Sequence, residues 1–108
     1  MEFRKGLVFY NNVPAGYISE TKNGYVFEYD KTFLKKNTPV SISLPLRDEP
    51  YKSKELFHFF RGLLPEGWYL DIVAAVQKVD RNDLFGLLLC TTNTDTIGSV
   101  TVRRVDIV

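Results

Sequence analysis

The sequence predicts an α+β domain: a small antiparallel sheet or partly open barrel, packed with about three helices. Alternating apolar and aromatic residues fill the first half, and turn residues such as Asn-Gly interrupt them. The second half has apolar residues at helical spacing, and a β-branched segment follows as a closing strand. The chain has 108 residues, of which 44% are hydrophobic, so residues 1–108 are expected to form a single domain.

Residues 6–29 predict a meander of three antiparallel strands. "GLVFY" and "AGYISE" are apolar segments separated by Asn11-Asn12, which suit the positive φ angles of a hairpin turn. Asn23-Gly24 predicts a second turn. Every second residue after it is aromatic and belongs to one face of the third strand: Tyr25, Phe27 and Tyr29.

Three shorter segments connect the meander to the helices. "KTFLKKN" predicts one helical turn, with Phe33 and Leu34 under the sheet. "PVSISLPL" predicts a fourth strand that ends at Pro45. Its inward residues are expected to be Ile42, Leu44 and Leu46. "RDEPYKSKE" predicts a polar loop, and its Ser53 is a candidate N-cap for the next helix.

Three helices are predicted between this loop and the closing strand. "KELFHFFRGLL" forms the first, and Pro65 ends it at Leu64, because a residue before proline avoids helical geometry. Its apolar residues are Leu56, Phe57, Phe59, Phe60, Leu63 and Leu64. The second starts near Glu66 or Gly67, with an apolar stripe of Trp68, Ile72, Ala75, Val76 and Val79. Asp80 and Asp83 resemble a capping box before the third, "TTNTDT" predicts a turn, and "IGSVTVRRV" is the closing strand.

Catalytic chemistry has little support in the residue pattern. His58 is the single histidine, no glycine-rich phosphate loop is present, and nothing indicates that Asp48, Glu49 and Glu66 converge. We therefore predict no catalytic residue, no metal site and no cofactor. The net charge of +1 gives no footprint of nucleic-acid binding, so direct binding to nucleic acid is not expected.

The composition also indicates the compartment. One cysteine rules out an intramolecular disulfide and favours a reducing environment. The first twelve residues contain an apolar stretch of about four residues, too short for a signal peptide, and no segment has the roughly 18 apolar residues of a membrane span. We expect a cytoplasmic protein with no membrane contact.

Several motifs, taken together, resemble the N-terminal subdomain of the HipA family of toxin kinases. "FFRGLLPEG" resembles the Leu-Pro-Glu-Gly turn that follows an aromatic helix in that family. "GYISE", "YVFEYDKTFL", "PVSISLPLRDEPY", "DRNDLFGLLLC" and "TIGSVTV" resemble further family segments in the same order. The resemblance covers nearly the whole chain.

The resemblance also implies partners. In the family this subdomain precedes a kinase domain, and a version without the kinase resembles HipS, the small component of three-part HipB–HipS–HipT systems. It then implies an antitoxin-type protein that binds a HipA-like kinase, HipT, and inhibits its action on an aminoacyl-tRNA synthetase. A HipB-like helix-turn-helix protein would supply DNA binding. The alternative is an accessory subunit that completes the kinase, or bridges it to the repressor, without inhibiting it.

The predicted kinase-binding residues are those of the turn and the start of the next helix: Pro65, Glu66, Gly67, Trp68 and Tyr69. Pro65 is rigid and Gly67 permissive, so the turn can present Trp68, and tryptophan is frequent at binding hot spots. Two alternatives remain open. Trp68 is in phase with Ile72 and Val76 and is equally compatible with a core position, and Glu66 can serve simply to complement the helix dipole.

Overall fold

The computed structural model describes residues 3–64, 67–91 and 100–105, with the backbone alone at residues 67–69 and at Thr91. The strands are β1 Lys5–Tyr10, β2 Val13–Thr21, β3 Gly24–Tyr29, β4 Tyr51–Ser53 and β5 Val100–Arg104. The helices are a 3-10 turn at Phe33–Lys36, α1 His58–Arg61, α2 Gly67–Gln77 and α3 Leu84–Thr91. The strands form an open antiparallel sheet in the order β4-β3-β2-β1-β5, which confirms the α+β class.

The predicted meander is confirmed, and the closing strand completes it beside β1. Asn11 and Asn12 turn the first hairpin with φ angles of 49° and 66°. β5 pairs with β1 from Gly6 opposite Arg104 to Tyr10 opposite Val100, so the first strand lies inside the sheet and not at its edge. Residues 92–99, which hold the predicted "TTNTDT" turn after Thr91 and the first three residues of the closing segment, lie outside the described residues.

One face of the sheet carries the core. Side chains without exposed surface project from β1, β2, β3 and β5: Val8, Ile18, Phe27 and Val102. Phe60, Phe85 and Leu88 are equally buried and cover this face from α1 and α3. Phe33 is buried and Leu34 packs against the core, as predicted for the short helical turn.

The predicted fourth strand at residues 39–46 is wrong, because this segment forms a tight turn. The Leu44 amide donates to the Ser41 carbonyl at 3.0 Å, and the Ser43 amide donates to Ser41 Oγ at 3.2 Å. Leu44 is buried and Leu46 half-buried, but Ile42 is 93% exposed at the tip. The serine side chain offers the backbone an alternative to a strand partner, and period-two alternation does not reveal that competition.

Buried Tyr29 holds this turn against the sheet. Its hydroxyl accepts a hydrogen bond from the Val40 amide at 3.1 Å and donates to the Leu44 carbonyl. One side chain of β3 therefore joins both ends of the loop that carries Ile42.

The N-cap predicted at Ser53 is also wrong, and the predicted polar loop contains a short strand. Tyr51–Ser53 is strand β4, paired with residues 25–27 of β3, and Ser53 Oγ accepts a bond from the Glu55 amide instead of capping a helix. α1 begins only at His58. After α1 the chain forms two 3-10-type hydrogen bonds, in which the Leu63 amide donates to the Phe60 carbonyl and the Leu64 amide to the Arg61 carbonyl, both at 3.1 Å. The predicted long helix is therefore a single α-helical turn with a 3-10 end.

The cap of α3 is Asp83, and the predicted reciprocal capping box with Asp80 does not form. Asp83 Oδ1 accepts a hydrogen bond from the Gly86 amide at 3.1 Å, while Asp80 accepts one from Asn82 in a preceding turn. Asp83 also binds Arg4 with both oxygens, at 2.7 and 2.8 Å. Arg4 in turn donates to both carboxylate oxygens of Glu20 at 2.8 and 2.9 Å, and so links β2 to the start of α3.

We expect Arg4→Met to lower the free energy of unfolding at pH 7 by about 1–3 kcal/mol, because Glu20 and Asp83 lose charge-assisted hydrogen bonds. Hydrogen bonds from Arg4 hold the pKa of each carboxyl below its ordinary value. The stabilisation of the fold by these two carboxylates is therefore complete above the ordinary carboxyl pKa. It is lost as the pH falls through their lowered pKa values in the folded protein. Urea unfolding at several pH values from 7 to 2 measures this.

The difference in the free energy of unfolding between wild type and Arg4→Met should fall toward zero as the pH approaches 2. Arg47→Met is the matched control, because Arg47 donates to the backbone carbonyls of Glu49 and Pro50 and not to a carboxylate. A difference for Arg4→Met that stays constant down to pH 2 would contradict the role given to the two carboxylates.

Candidate partner-binding site

The residues predicted to bind a partner lie between α1 and α2. Leu64, at the end of the aromatic segment, is buried in the core and Leu63 is half-buried, as predicted. Pro65 and Glu66 lie outside the described residues. Gly67, Trp68 and Tyr69 form the first turn of α2, which confirms the predicted start of that helix. Their side chains are not described, so the choice between core and interface for Trp68 stays a prediction.

The apolar stripe predicted for α2 was wrong, because the helix buries its other side. Leu70 and Ala74 are buried and Val73 packs against the core. Of the predicted stripe, Ile72 is 45% and Val76 71% exposed. Ala75 is also exposed, and Val79, beyond the helix, is half-buried against the core. Residues 70, 73 and 74 have the same helical spacing as residues 72, 75 and 76, so periodicity alone favours neither side.

We call Ile72, Ala75 and Val76 the outer face of α2. At about 100° per residue, position 68 lies roughly 40° around the helix from Ile72 and about 20° from Ala75. The same count puts it about 190° from the middle of the buried set Leu70, Val73 and Ala74. The backbone position of Trp68 therefore belongs to the outer face, and we predict that its side chain extends this face by one turn.

An ion pair and the C-terminal end of α2 border the outer face. Asp71 and Arg81 form an ion pair in which both side chains are more than half exposed. α2 ends at Gln77. The next residue, Lys78, has a left-handed φ of 57°, and the Val79 amide donates back to the Ala74 carbonyl at 3.0 Å. The Lys78 amide also donates to the Ala75 carbonyl at 3.3 Å. The two hydrogen bonds together form a Schellman motif at the end of the helix. Backbone hydrogen bonds therefore fix the C-terminal end of α2, next to the outer face.

The outer face is suited to binding and not to proton or metal chemistry. It consists of aliphatic side chains, and nowhere in the described ranges do three histidine, cysteine, aspartate or glutamate residues group as metal ligands. Adjacent exposed apolar residues on one helix face are typical of a protein–protein contact. None of the helices within the described residues is long and apolar enough to cross a membrane.

Comparison with known families gives one match over most of the chain. The family model described as "HipA N-terminal domain" matches residues 6–103. Among solved structures, the N-terminal domain of HipA toxin superposes with a TM-score of 0.74 at 31% identity, covering 95% of this chain and 93% of that one. The matched domain is the non-catalytic part of this family, and the match includes no kinase catalytic domain.

Two protein relatives differ in how much of their length is matched. An uncharacterized protein of Haemophilus influenzae is 35% identical over 86 residues, which are 80% of this chain and 79% of the relative. A Sinorhizobium fredii protein named "Putative kinase Y4mE" is 34% identical over 84 residues, which are 75% of this chain but 20% of that protein. The shared domain thus occurs in a protein of similar size and within a much longer one.

Proposed function

Because this chain belongs to the HipA N-terminal domain family, a family with a toxin–antitoxin-related role, we propose that it is an antitoxin-type regulatory protein. It binds a HipA-like Ser/Thr kinase of the HipT kind and inhibits it. The contact surface is the outer face of α2, continued toward its N-terminus by Trp68 and by the turn residues Pro65 to Gly67. The observation that carries the proposal is the exposure of Ile72 and Val76 on a helix whose opposite side packs into the core.

A kinase is the partner that the relatives favour. Y4mE has "kinase" in its name, and the domain shared with this chain spans 20% of it. The domain shared with this chain includes no kinase catalytic domain, so we assign kinase chemistry to the remainder of such a protein. A domain that accompanies a kinase on one chain in a relative is well suited to bind a separate kinase in the same way.

The position of Trp68 at the start of α2 supports inhibition. Trp68 is in the first turn of α2, two residues after Glu66, so an aromatic side chain there would project from the end of a helix anchored by Leu70 and Ala74. An anchored helix end can enter a cleft of a partner at little entropic cost. We propose that the cleft belongs to the kinase and that its occupation stops phosphoryl transfer.

The test is phosphorylation of the kinase's substrate, an aminoacyl-tRNA synthetase by family resemblance, with and without an equimolar amount of this protein. We expect wild type to abolish phosphorylation and Ile72→Asp to restore it, because a carboxylate would be desolvated at the contact. Ile42→Asp is the matched control, since Ile42 is exposed but lies on the loop at residues 39–46 and not on α2.

Unchanged or increased phosphorylation in the presence of the protein would overturn inhibition. It would support the alternative, an accessory subunit that completes the kinase or bridges it to a HipB-like DNA-binding protein. In either role we expect the complex to be cytoplasmic, with DNA contacts made by the HipB-like component.

A further inference from the structure

The sheet has a second face, opposite the core. Val8, Ile18, Phe27 and Val102 point toward the core, so the residues that alternate with them along each strand point to the other side. We call this side the back face. Its residues include Lys5, Leu7 and Phe9 of β1, Tyr17 and Ser19 of β2, Val26 and Glu28 of β3, Arg103 of β5 and Val105 after it.

Two contacts between cations and rings place these side chains on one surface. The Arg103 guanidinium lies 5.0 Å from the centroid of the Phe9 ring, and the Lys5 ammonium lies 4.4 Å from the centroid of the Tyr17 ring. Four apolar side chains of this surface are half-buried, and among the described residues none of them packs against the core: Leu7, Phe9, Tyr17 and Val26. The back face therefore has an apolar centre of its own.

One row of residues across the back face has an acid at one end and a base at the other. Tyr17 of β2 is paired with Glu28 on one side and with Leu7 on the other. Leu7 is paired in turn with Arg103. Three strand spacings separate the backbones of Glu28 and Arg103, roughly 14 Å. Both side chains are exposed, and within the described part of the chain neither forms an ion pair.

The neighbouring row has an aliphatic residue at each end. Val26 is paired with Ser19, and Ser19 is paired with Lys5. The Val105 amide donates to the Lys5 carbonyl at 3.0 Å, so Val105 continues the row beyond β1, and 43% of its surface is exposed. Each row therefore has ends that can pair with each other, opposite charges in one and apolar groups in the other.

From these two rows we infer that the back face binds the back face of a second copy of this chain. A two-fold axis parallel to the strands, between β1 and β2, reverses the order of each row in the facing copy. It brings Glu28 of one copy against Arg103 of the other, and Tyr17 against Leu7. Such a symmetric interface is self-complementary, because opposite charges meet at both ends and apolar groups meet in the middle.

The same axis brings Val26 of one copy against Val105 of the other. The two sheets would then pack about 10 Å apart with their strands within about 30° of each other, the usual arrangement of two packed sheets. The rows span four strands, about 19 Å, and only a few residues along each strand. This patch is smaller than the roughly 800 Å² per partner of a standard interface, so we expect a dissociation constant of about 10–100 µM.

The dimer leaves the outer face of α2 exposed on both copies. Leu70 and Ala74 attach α2 to the core, which lies on the side of the sheet away from the back face. If the proposed kinase contact holds, one dimer can carry two kinases. That consequence depends on the proposed function, whereas dimerisation itself does not.

The test is sedimentation equilibrium of the protein alone, at several concentrations, so that the result does not depend on any kinase. We expect a monomer–dimer equilibrium in wild type. Glu28→Arg and Arg103→Glu should each weaken dimerisation by about tenfold, because each variant places like charges opposite each other at two symmetric contacts. The double variant Glu28→Arg/Arg103→Glu should return to within about threefold of wild type, because it restores opposite charges with the two ends exchanged.

Glu49→Arg is the matched control, because Glu49 is also exposed but lies on the loop before β4 and not on the back face. It should dimerise as wild type does. Circular dichroism spectra report whether each variant is folded.

The inference would be overturned if wild type stayed monomeric up to about 1 mM, well above the expected dissociation constant. It would also be overturned if the double variant dimerised no better than the single variants, or if Glu49→Arg weakened dimerisation as much as Glu28→Arg. A monomeric wild type whose inhibition of the kinase is weakened by Arg103→Glu would instead assign the back face to the kinase.

Discussion

Trp68→Ala is expected to weaken kinase binding by at least about 2 kcal/mol, roughly thirtyfold in dissociation constant, while the melting temperature stays nearly unchanged. The reason is the position of residue 68 on the side of α2 that exposes Ile72 and Val76, opposite the side that buries Leu70 and Ala74. A tryptophan there loses its contacts with the partner when truncated, but not contacts with the core. Calorimetric titration of the kinase, together with thermal unfolding of the free protein, measures both effects.

Ile42→Ala is the control for this variant, because Ile42 is the most exposed large apolar residue described and is not on α2. It should change neither binding nor stability. Trp68 is the single tryptophan, so fluorescence emission of the free protein reports its surroundings directly. A loss of about 3–5 kcal/mol in unfolding free energy for Trp68→Ala, with blue-shifted emission in wild type, would show a core residue and contradict the prediction.

Phe60→Ala is expected to lower the free energy of unfolding by about 3–5 kcal/mol, close to the total stability of a small domain. Phe60 has no exposed surface, and its ring packs 5.4 Å from Phe27 of β3 and 5.2 Å from Phe59, measured between centroids. It is the residue through which the short helix α1 is held on the sheet. Urea unfolding monitored by circular dichroism measures the change.

Phe59→Ala is the matched control, because the same side chain is removed one residue earlier at a half-buried position. It should destabilise the protein clearly less than Phe60→Ala. Equal losses for the two variants, or a loss below about 1 kcal/mol for Phe60→Ala, would contradict the assignment of Phe60 as the anchor of α1.

The parts of the fold that depend on local sequence were predictable. Asn11-Asn12 adopts the left-handed geometry of its turn, the strands of the meander follow the aromatic alternation, and α2 begins where the proline and glycine indicate. The closing strand was also predicted. These features depend on propensities and turn preferences of the residues involved, which sequence shows directly.

The features that depend on tertiary competition were not predictable. Residues 39–46 alternate like a strand, but the Ser41 turn and the clamp by Tyr29 determine their structure. α2 has two apolar sides of similar spacing, and only its packing against the core, which includes α3, decides which one is buried. The Arg4 bridge joins residues far apart in sequence, and no local pattern marks it.

Only part of the candidate site was predictable from sequence, because which side of α2 is exposed also depends on tertiary packing. The start of α2 was predicted from "LLPEGW", but the exposed residues Ile72 and Val76 were assigned to the core with the rest of their stripe. One signal was available: Leu70, Val73 and Ala74 form a second apolar set. When a helix is apolar on two sides and packs only one of them into the core, the other side remains exposed and available to bind a partner.

The pairing of β1 with β5 has a consequence for synthesis of the protein. Residues 6–10 leave the ribosome long before residues 100–104, so the nascent chain displays the backbone donors and acceptors of β1 on an open edge until β5 has been made. Long-range strand pairing of this kind forms slowly, and open edges attract incorrect partners. A ribosome that stalls before Val100 therefore holds a chain whose sheet lacks β5, and a chain with such an open edge is a typical substrate for chaperones.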